Sequence, residues 1–489
     1  MKLLFSHNKS KNLIALLTKQ VISSTAPFFI KLIEEIENLE NGMVLKRKWI
    51  LFFNDTNYKY LSKIENKDIS EIDYIAKETL EFIRKLLLIT NFTDGLAFDL
   101  LKAWEKYQDI IFLTRSTYRD HFIHQFYVFL TGCFFLDPLY INYINKIKEK
   151  NKKLKDKEES YKEISRARFF RRWFLASVFH DIGYPAESLK DIHESLNNNF
   201  FNKIPNFSIE EFKLKTIEND SDLENLIEQL CKIHLYSEFI QIDISPNGKE
   251  NINKNYSVSE LYNLFRDEIN QTHDHGVSGA IYFLKTAMID MREMVIKPNE
   301  AVTCRKEVKE DLINDIFIAA SAIAGHNLRS NIYPYYTIDF FAKPIAALLN
   351  FCDDLQEWDR KPNDPFWDKR RMQFDNITID NNKLIIQFAD LSEQNRRNIL
   401  SDDDARKYHK SFINSIVNLF RYNLCDEDML FFNEIEIKSL FCKHNIIINK
   451  QTDENSYEYG RFLIDVCEHQ QRGKNFRCLH CILLENEET

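Results

Sequence analysis

Residues 171–185 read RRWFLASVFHDIGYP, and this stretch decides how the chain is organised. The apolar residues from about Ala167 to Phe179 predict a core helix, which delivers the adjacent pair His180-Asp181 before Gly183 supplies a turn. A bare His-Asp pair is commonly a capped helix end. This one gains weight from an ordered series of similar residues on either side. Upstream, His121 and His124 stand three residues apart on one helical face in RDHFIHQFYVFLTG. Downstream come His273 and His275 in THDHGVSGA, His326 in AIAGHN and Asp353 in LLNFCDDLQEW. Each lies in an apolar helical setting, where an unpartnered imidazole or carboxylate is costly. Convergence on one site explains the series most economically.

The composition agrees with a helical chain. Among 489 residues there are 10 Gly and 10 Pro, together about 4% where roughly 12% is usual. So few turn formers argue against an all-β sandwich or barrel and against a Gly/Pro-rich disordered chain. A mainly α fold is expected, with 39 Phe supplying much of the core. The net charge of −9 and a pI near 5.9 give no overall basic footprint, which weighs against nucleic acid as the partner. Nine Cys, and an opening (MKLLFSHNKSKNLIALLTK) without the pattern of a secretory leader, suit a reducing cytoplasm better than a disulfide scaffold. The longest apolar run, from Phe126 to Leu136, suits a buried helix better than a membrane span. A soluble, cytoplasmic protein without a membrane partner is the expectation.

Three regions are expected along the chain. Residues 1–100 read as a helical layer, with Leu80, Ile83, Leu86 and Leu87 at helical spacing. Residues 101–364 form the helical domain that carries the His/Asp series. Within it, one helix is expected from about Leu101 to Leu136, ending before Asp137-Pro138. The stretch 186–265 is rich in Asn and acidic residues, and reads as an insertion forming a lid or partner surface. Residues 365–489 read as a small α+β appendage. Its signals are a hairpin in ITIDNNKLIIQF (377–388), short strands in FNEIEIKSL and HNIIINK, and a helix between about Ser401 and Tyr422.

Imidazoles and carboxylates together suit Mn, Fe, Zn or Ni, and one carboxylate can bridge two ions. Two such ions lower the pKa of a shared water and clamp the attacking and leaving oxygens of a phosphoryl displacement. His121 is a candidate proton donor to the leaving oxygen, or a partner orienting His124. Arg119, Lys343 and Arg360 are candidate phosphate contacts by charge alone. Gln356 and Glu357 share a helical face with Asp353, and Trp358 reads as core. In the tail, CEHQQRGKNFRCLHC places Cys467, His469, Cys478, His480 and Cys481 close in sequence, a pattern able to hold a structural zinc at Cys467, Cys478 and Cys481.

The order of these residues resembles that of the HD superfamily of metal-dependent phosphohydrolases, H…HD…H…H…D on a helical core. HQFYV resembles the family's first His helix, and His180-Asp181 matches the name-giving doublet. HGVSGA resembles the H-x-x-x-G-A helix of dinuclear members, AIAGHN the next His segment, and ALLNFCDDLQEW the closing Asp helix. The resemblance covers just under half of the chain. It implies metal ligands at His124, His180, Asp181, His275, His326 and Asp353, with Asp181 bridging two divalent ions and also counted as catalytic. His273 is then a surface or supporting residue. The implied activity is hydrolysis of a phosphoester or phosphoanhydride bond in a nucleotide-type substrate.

The motif details leave the substrate open. HDIGYP differs from the HD-GYP motif of cyclic-di-GMP phosphodiesterases, whose GYP follows a later His-His-Glu segment. The HDTVEDT signature of guanosine tetraphosphate hydrolases is absent. HDIGYP echoes the HDIGHP of deoxynucleotide triphosphohydrolases, which do not use the added downstream histidines. Two alternatives stand beside the lead reading. One is an HD nuclease on single-stranded DNA or RNA, suggested by His275-Gly-Val-Ser278-Gly-Ala280. The other is a non-catalytic HD domain that senses a nucleotide.

Overall fold

The computed structural model describes residues 95–114, 121–153, 163–187, 221–235, 257–269, 274–296, 306–327 and 343–357, some positions in 79–87, and five strands between 374 and 468. The chain is mainly α. The helices are α1 (Leu96–Thr114), α2 (His121–Lys153), α3 (Arg166–Phe179), α4 (Ser221–Leu235), α5 (Val258–Asp267), α6 (His275–Ile296), α7 (Lys306–His326) and α8 (Pro344–Glu357).

Helix α7 is the hub, packing against α6, α3, α8 and α4. Its stretch from Ile316 to Ala324 is buried throughout and carries four alanines, whose small side chains admit several neighbours at close range. Around it, α2 packs on α3 and α8, and α6 packs on α1. Phe129 meets Phe170 and Phe174 edge-on at ring separations of 6.1 and 5.5 Å, joining α2 to α3. Each buried Phe contributes roughly 1.5–3 kcal/mol of transfer free energy. Gly132 lets these two helices touch. A Cβ there would lie 1.9 Å from the Trp173 ring, whose Nε1–H donates to the Phe129 carbonyl at 3.1 Å.

Helix α3 starts at an N-cap, Ser165, whose hydroxyl accepts from the Arg168 amide. It buries nearly its whole circumference, including Arg171 and Arg172. Asp315 of α7 makes that tolerable. Its fully buried carboxylate accepts from Arg171 Nη2 at 2.6 Å, from Arg172 Nε at 2.6 Å and from Arg168 Nη2 at 3.0 Å. Burial works against the charge on Asp315, but the three guanidiniums outweigh it and hold the carboxyl below its ordinary value.

Several boundaries differ from expectation. Helix α2 does not end before Pro138. It runs on to Lys153, with the arms His124–Cys133 and Pro138–Glu149 meeting at 55°. A proline inside a helix removes one hydrogen bond and bends it, and burial of Leu136, Leu139 and Tyr143 on both sides holds the arms together. Helix α1 crosses the expected boundary at residue 100. Its first amides, of Leu96 and Ala97, are capped by Asp290 of α6 at 2.7 and 3.0 Å. Ile83, Leu86 and Leu87 belong to the same hydrophobic core as the later helices. The 186–265 stretch is not wholly peripheral either. Helices α4 and α5 pack on each other and α4 packs on α7, burying Leu230, Cys231, Leu261 and Phe265.

Among the described residues no single helix is long and apolar enough to cross a membrane. The strands are β1 (Phe374–Asp380), β2 (Lys383–Phe388), β3 (Glu434–Lys438), β4 (Lys443–Ile447) and β5 (Leu463–Glu468), paired in that order. The β2/β3 pair is parallel and the other pairs are antiparallel, with Asp380 opposite Lys383 where β1 turns into β2. The helix expected near 401–422 lies outside the described residues.

Candidate metal centre

Five described segments meet at one point. Helix α2 brings His124, the turn after α3 brings His180 and Asp181, the first residue of α6 brings His275, the last of α7 brings His326, and the middle of α8 brings Asp353. All six side chains are buried or nearly so. Neighbouring imidazole rings lie edge-on, with centroids 5.5 Å apart for His124 and His180, and 5.1 Å apart for both His180/His326 and His275/His326.

Asp181 lies among three histidines. Its Oδ1 is 3.3 Å from His180 Nε2, 3.8 Å from His326 Nε2 and 4.0 Å from His275 Nε2. Asp353 Oδ1 forms a second focus, 2.8 Å from His124 Nε2 and 3.6 Å from His180 Nε2.

The other ring nitrogens show which way the lone pairs point. His180 Nδ1 is 2.7 Å from the Ser177 carbonyl, and His326 Nδ1 is 2.6 Å from the Ile323 carbonyl. A carbonyl can only accept, so in each ring Nδ1 carries a proton. His275 Nδ1–H donates in the same way to Glu187 Oε2 at 2.6 Å. Burial, together with the neighbouring His275 and His180, lowers His326 to about 3, so its ring is neutral and its Nε2 is a bare lone pair. Burial also opposes a charge on His180, yet Asp181 and Asp353 outweigh it and raise that ring to about 9. Burial raises Asp353 as well, but the hydrogen bond with His124 and the nearby His180 prevail and hold its carboxyl far below the ordinary range.

Local structure explains the placement. The turn at 180–183 is closed by Ile182 N–H donating to the Phe179 carbonyl, and by Tyr184 N–H donating to that of Asp181. It presses directly on the start of α6, and a Cβ on Gly183 would lie 2.0 Å from the His275 carbonyl oxygen. The glycine of HDIG is therefore a requirement for close backbone approach. Gly183→Ala is expected to push the turn off α6, destabilise the fold by about 1–3 kcal/mol and weaken metal uptake. Thermal unfolding with and without Mn2+ checks this, and an unchanged Tm in both conditions would contradict it. Asp274 caps α6, accepting from the Val277 amide at 2.9 Å and from Asn327 Nδ2 at 2.6 Å, which ties the ends of α6 and α7 together.

The chain matches no known protein family, no curated protein and no solved structure.

The chemistry therefore rests on the site's own atoms, and they fit a divalent ion. His180 and His326 Nε2 are buried without a hydrogen-bond partner. Each faces a carboxylate oxygen, so positive charge is the natural occupant of the gap, either the proton that Asp181 and Asp353 hold on His180 or a divalent ion in its place. Metal–nitrogen and metal–oxygen bonds of about 2.0–2.2 Å put ligands of one shell roughly 3–4 Å apart; the four longer distances above, 3.3 to 4.0 Å, lie in that range, and His124 and Asp353 at 2.8 Å are close enough to hydrogen-bond. Three overlapping groups meet the requirement: His124/His180/Asp181, His180/His326/Asp353 and Asp181/His275/His326.

The remaining expected residues fare differently. Lys343 is fully buried, and its ammonium donates to the His234 carbonyl at the end of α4. It is placed to hold the start of α8 rather than to meet a phosphate arriving from solvent, because charge alone does not reveal depth. His121 opens α2, but its side chain lies outside the described residues, as do Arg119, Arg360, His273, Cys478 and Cys481 and the side chains of Gln356 and Glu357. Cys467 falls on β5, with its side chain likewise outside them. The expected zinc at the Cys-rich tail gains no support from the described residues. The reading from sequence missed Glu187, Tyr184, Asp274 and Asn327. Only Asp274 carried a local signal, a helix N-cap residue just before the apolar run.

Proposed function

We propose that the protein is a metal-dependent phosphohydrolase of the HD type, acting on a phosphoester or phosphoanhydride bond of a nucleotide-type substrate. The observation that supports this best is the approach of three imidazole Nε2 atoms to one oxygen of Asp181, each within 4.0 Å. Two divalent ions would be held by His124, His180, Asp181 and Asp353 on one side, and by Asp181, His275 and His326 on the other. When bound, they supply Lewis acidity at phosphorus and lower the pKa of a water. Asp181 is shared, and His180 and His326 stay oriented through their Nδ1 hydrogen bonds. The burial of the site keeps bulk water from competing. His121 protonates the leaving oxygen, and Arg119 and Arg360 are the cations proposed to meet substrate phosphates.

The decisive assay uses the purified full-length protein with Mn2+ against cyclic mono- and dinucleotides, deoxynucleoside triphosphates, alarmones and labelled single-stranded oligonucleotides. Turnover of a nucleotide is expected. Cleavage of oligonucleotides alone would favour the nuclease, and tight nucleotide binding without turnover would favour the sensor. His121→Ala is expected to retain its metal but slow turnover by about 100-fold. Metal loss in that variant would instead make His121 a support for His124.

A further inference from the structure

We propose that Glu187 is the positioning residue for His275, and that it tunes one ion position of the centre while leaving the other undisturbed. This rests on the metal-centre reading above. Three imidazoles of the cluster are anchored in two different ways. His180 and His326 each donate Nδ1–H to a carbonyl three residues earlier in their own chain segment, an anchor that is buried and uncharged. His275, the first residue of α6, is anchored from outside its own segment.

Its Nδ1–H goes to Glu187 Oε2 at 2.6 Å. That carboxylate is 40% exposed and is carried on the short helical turn 184–187. Tyr184 of the same turn stacks on the His275 ring, with centroids 4.0 Å apart and planes 13° from parallel. Asn327 Nδ2 also approaches His275 Nδ1, at 3.4 Å, but an amide NH2 cannot accept a proton and this one already donates to Asp274. Among the described residues, Glu187 is therefore the acceptor that fixes the tautomer.

A carboxylate on Nδ1 makes Nε2 a stronger donor than a carbonyl does, and it fixes the ring's direction. The Asp181/His275/His326 position thus depends on an exposed carboxylate that bonds to His275, whereas among the described residues Glu187 makes no bond to His124, His180 or Asp353. Affinity at the first can change with the second intact.

The test is calorimetric titration of the metal-stripped, full-length protein with Mn2+. Glu187→Ala is expected to weaken one equivalent by about 10- to 100-fold and leave the other within about twofold. Glu187→Gln, whose side-chain carbonyl still accepts from Nδ1, should lose less. A double variant, Glu187→Ala with His275→Ala, should bind no more weakly than His275→Ala alone, because Glu187 acts through that ring. A merely structural role would weaken both equivalents or add to the His275→Ala loss, and either result overturns the proposal. So does Glu187→Ala titrating like the wild type. Wild-type protein that takes up no Mn2+ overturns the metal-centre reading itself, and this proposal with it.

Discussion

Asp181→Ala is expected to yield a folded helical protein that has lost at least one metal equivalent, with hydrolysis reduced to below about one thousandth of the wild-type rate. Wild-type protein purified without chelators should hold about two transition-metal ions per chain. The loss is large because Asp181 belongs to two of the three ligand groups, His124/His180/Asp181 and Asp181/His275/His326. His326→Ala should cost less, since an end-on imidazole serves one ion and a shared carboxylate serves two. The fold should survive, because the change removes a ligand rather than packed apolar volume, and the far-UV circular dichroism should match the wild type. Metal analysis and initial rates decide the matter. Asp181→Ala turning over at the wild-type rate, or wild-type protein free of metal, would end the proposal.

The largest effect on stability is expected at Asp315→Asn, away from the His/Asp centre. The substitution keeps the shape of the side chain but removes the charge that three guanidiniums surround. Breaking a buried ion cluster from one side typically costs about 3–5 kcal/mol, because the remaining charges stay desolvated. Urea unfolding at pH 7 should show that loss with an unchanged m value, and a change below about 0.5 kcal/mol would refute it. The pH dependence has a definite sign. The folded carboxyl titrates below its ordinary value of 3.8, so its contribution is fully present above about pH 4 and is lost as pH falls through the folded value. The gap between wild type and Asp315→Asn should therefore narrow below about pH 4.

These two residues also mark what the sequence could and could not reveal. The helical class was legible because few turn formers and runs such as RRWFLASVF leave little alternative. The six candidate ligands were legible because polar residues in apolar helices need partners, and the structure brings all six together. Arg171 and Arg172 stand in the stretch that decides the fold, but their partner Asp315 lies 143 residues or more away, and no local pattern announces a pairing at that range. Pro138 looked like a stop, yet burial on both sides of the bend outweighs one lost hydrogen bond. Helices α4 and α5 lay hidden in a stretch with weak periodicity. Glu187 was invisible for a different reason. Its role arises only when the turn after His180 folds back over the start of α6.

The contact between His124 and Asp353 closes a loop of 229 residues in a single step. Bringing such distant ends together costs chain entropy that grows only slowly with loop length, and the centre binds five separate segments in this way. An ion at the centre would act as a cross-link between the first and last of them, comparable to a disulfide spanning most of the helical region. Ion binding and folding are then one equilibrium, and each doubling of free metal well above its dissociation constant adds about 0.4 kcal/mol per bound ion to the stability of the whole bundle.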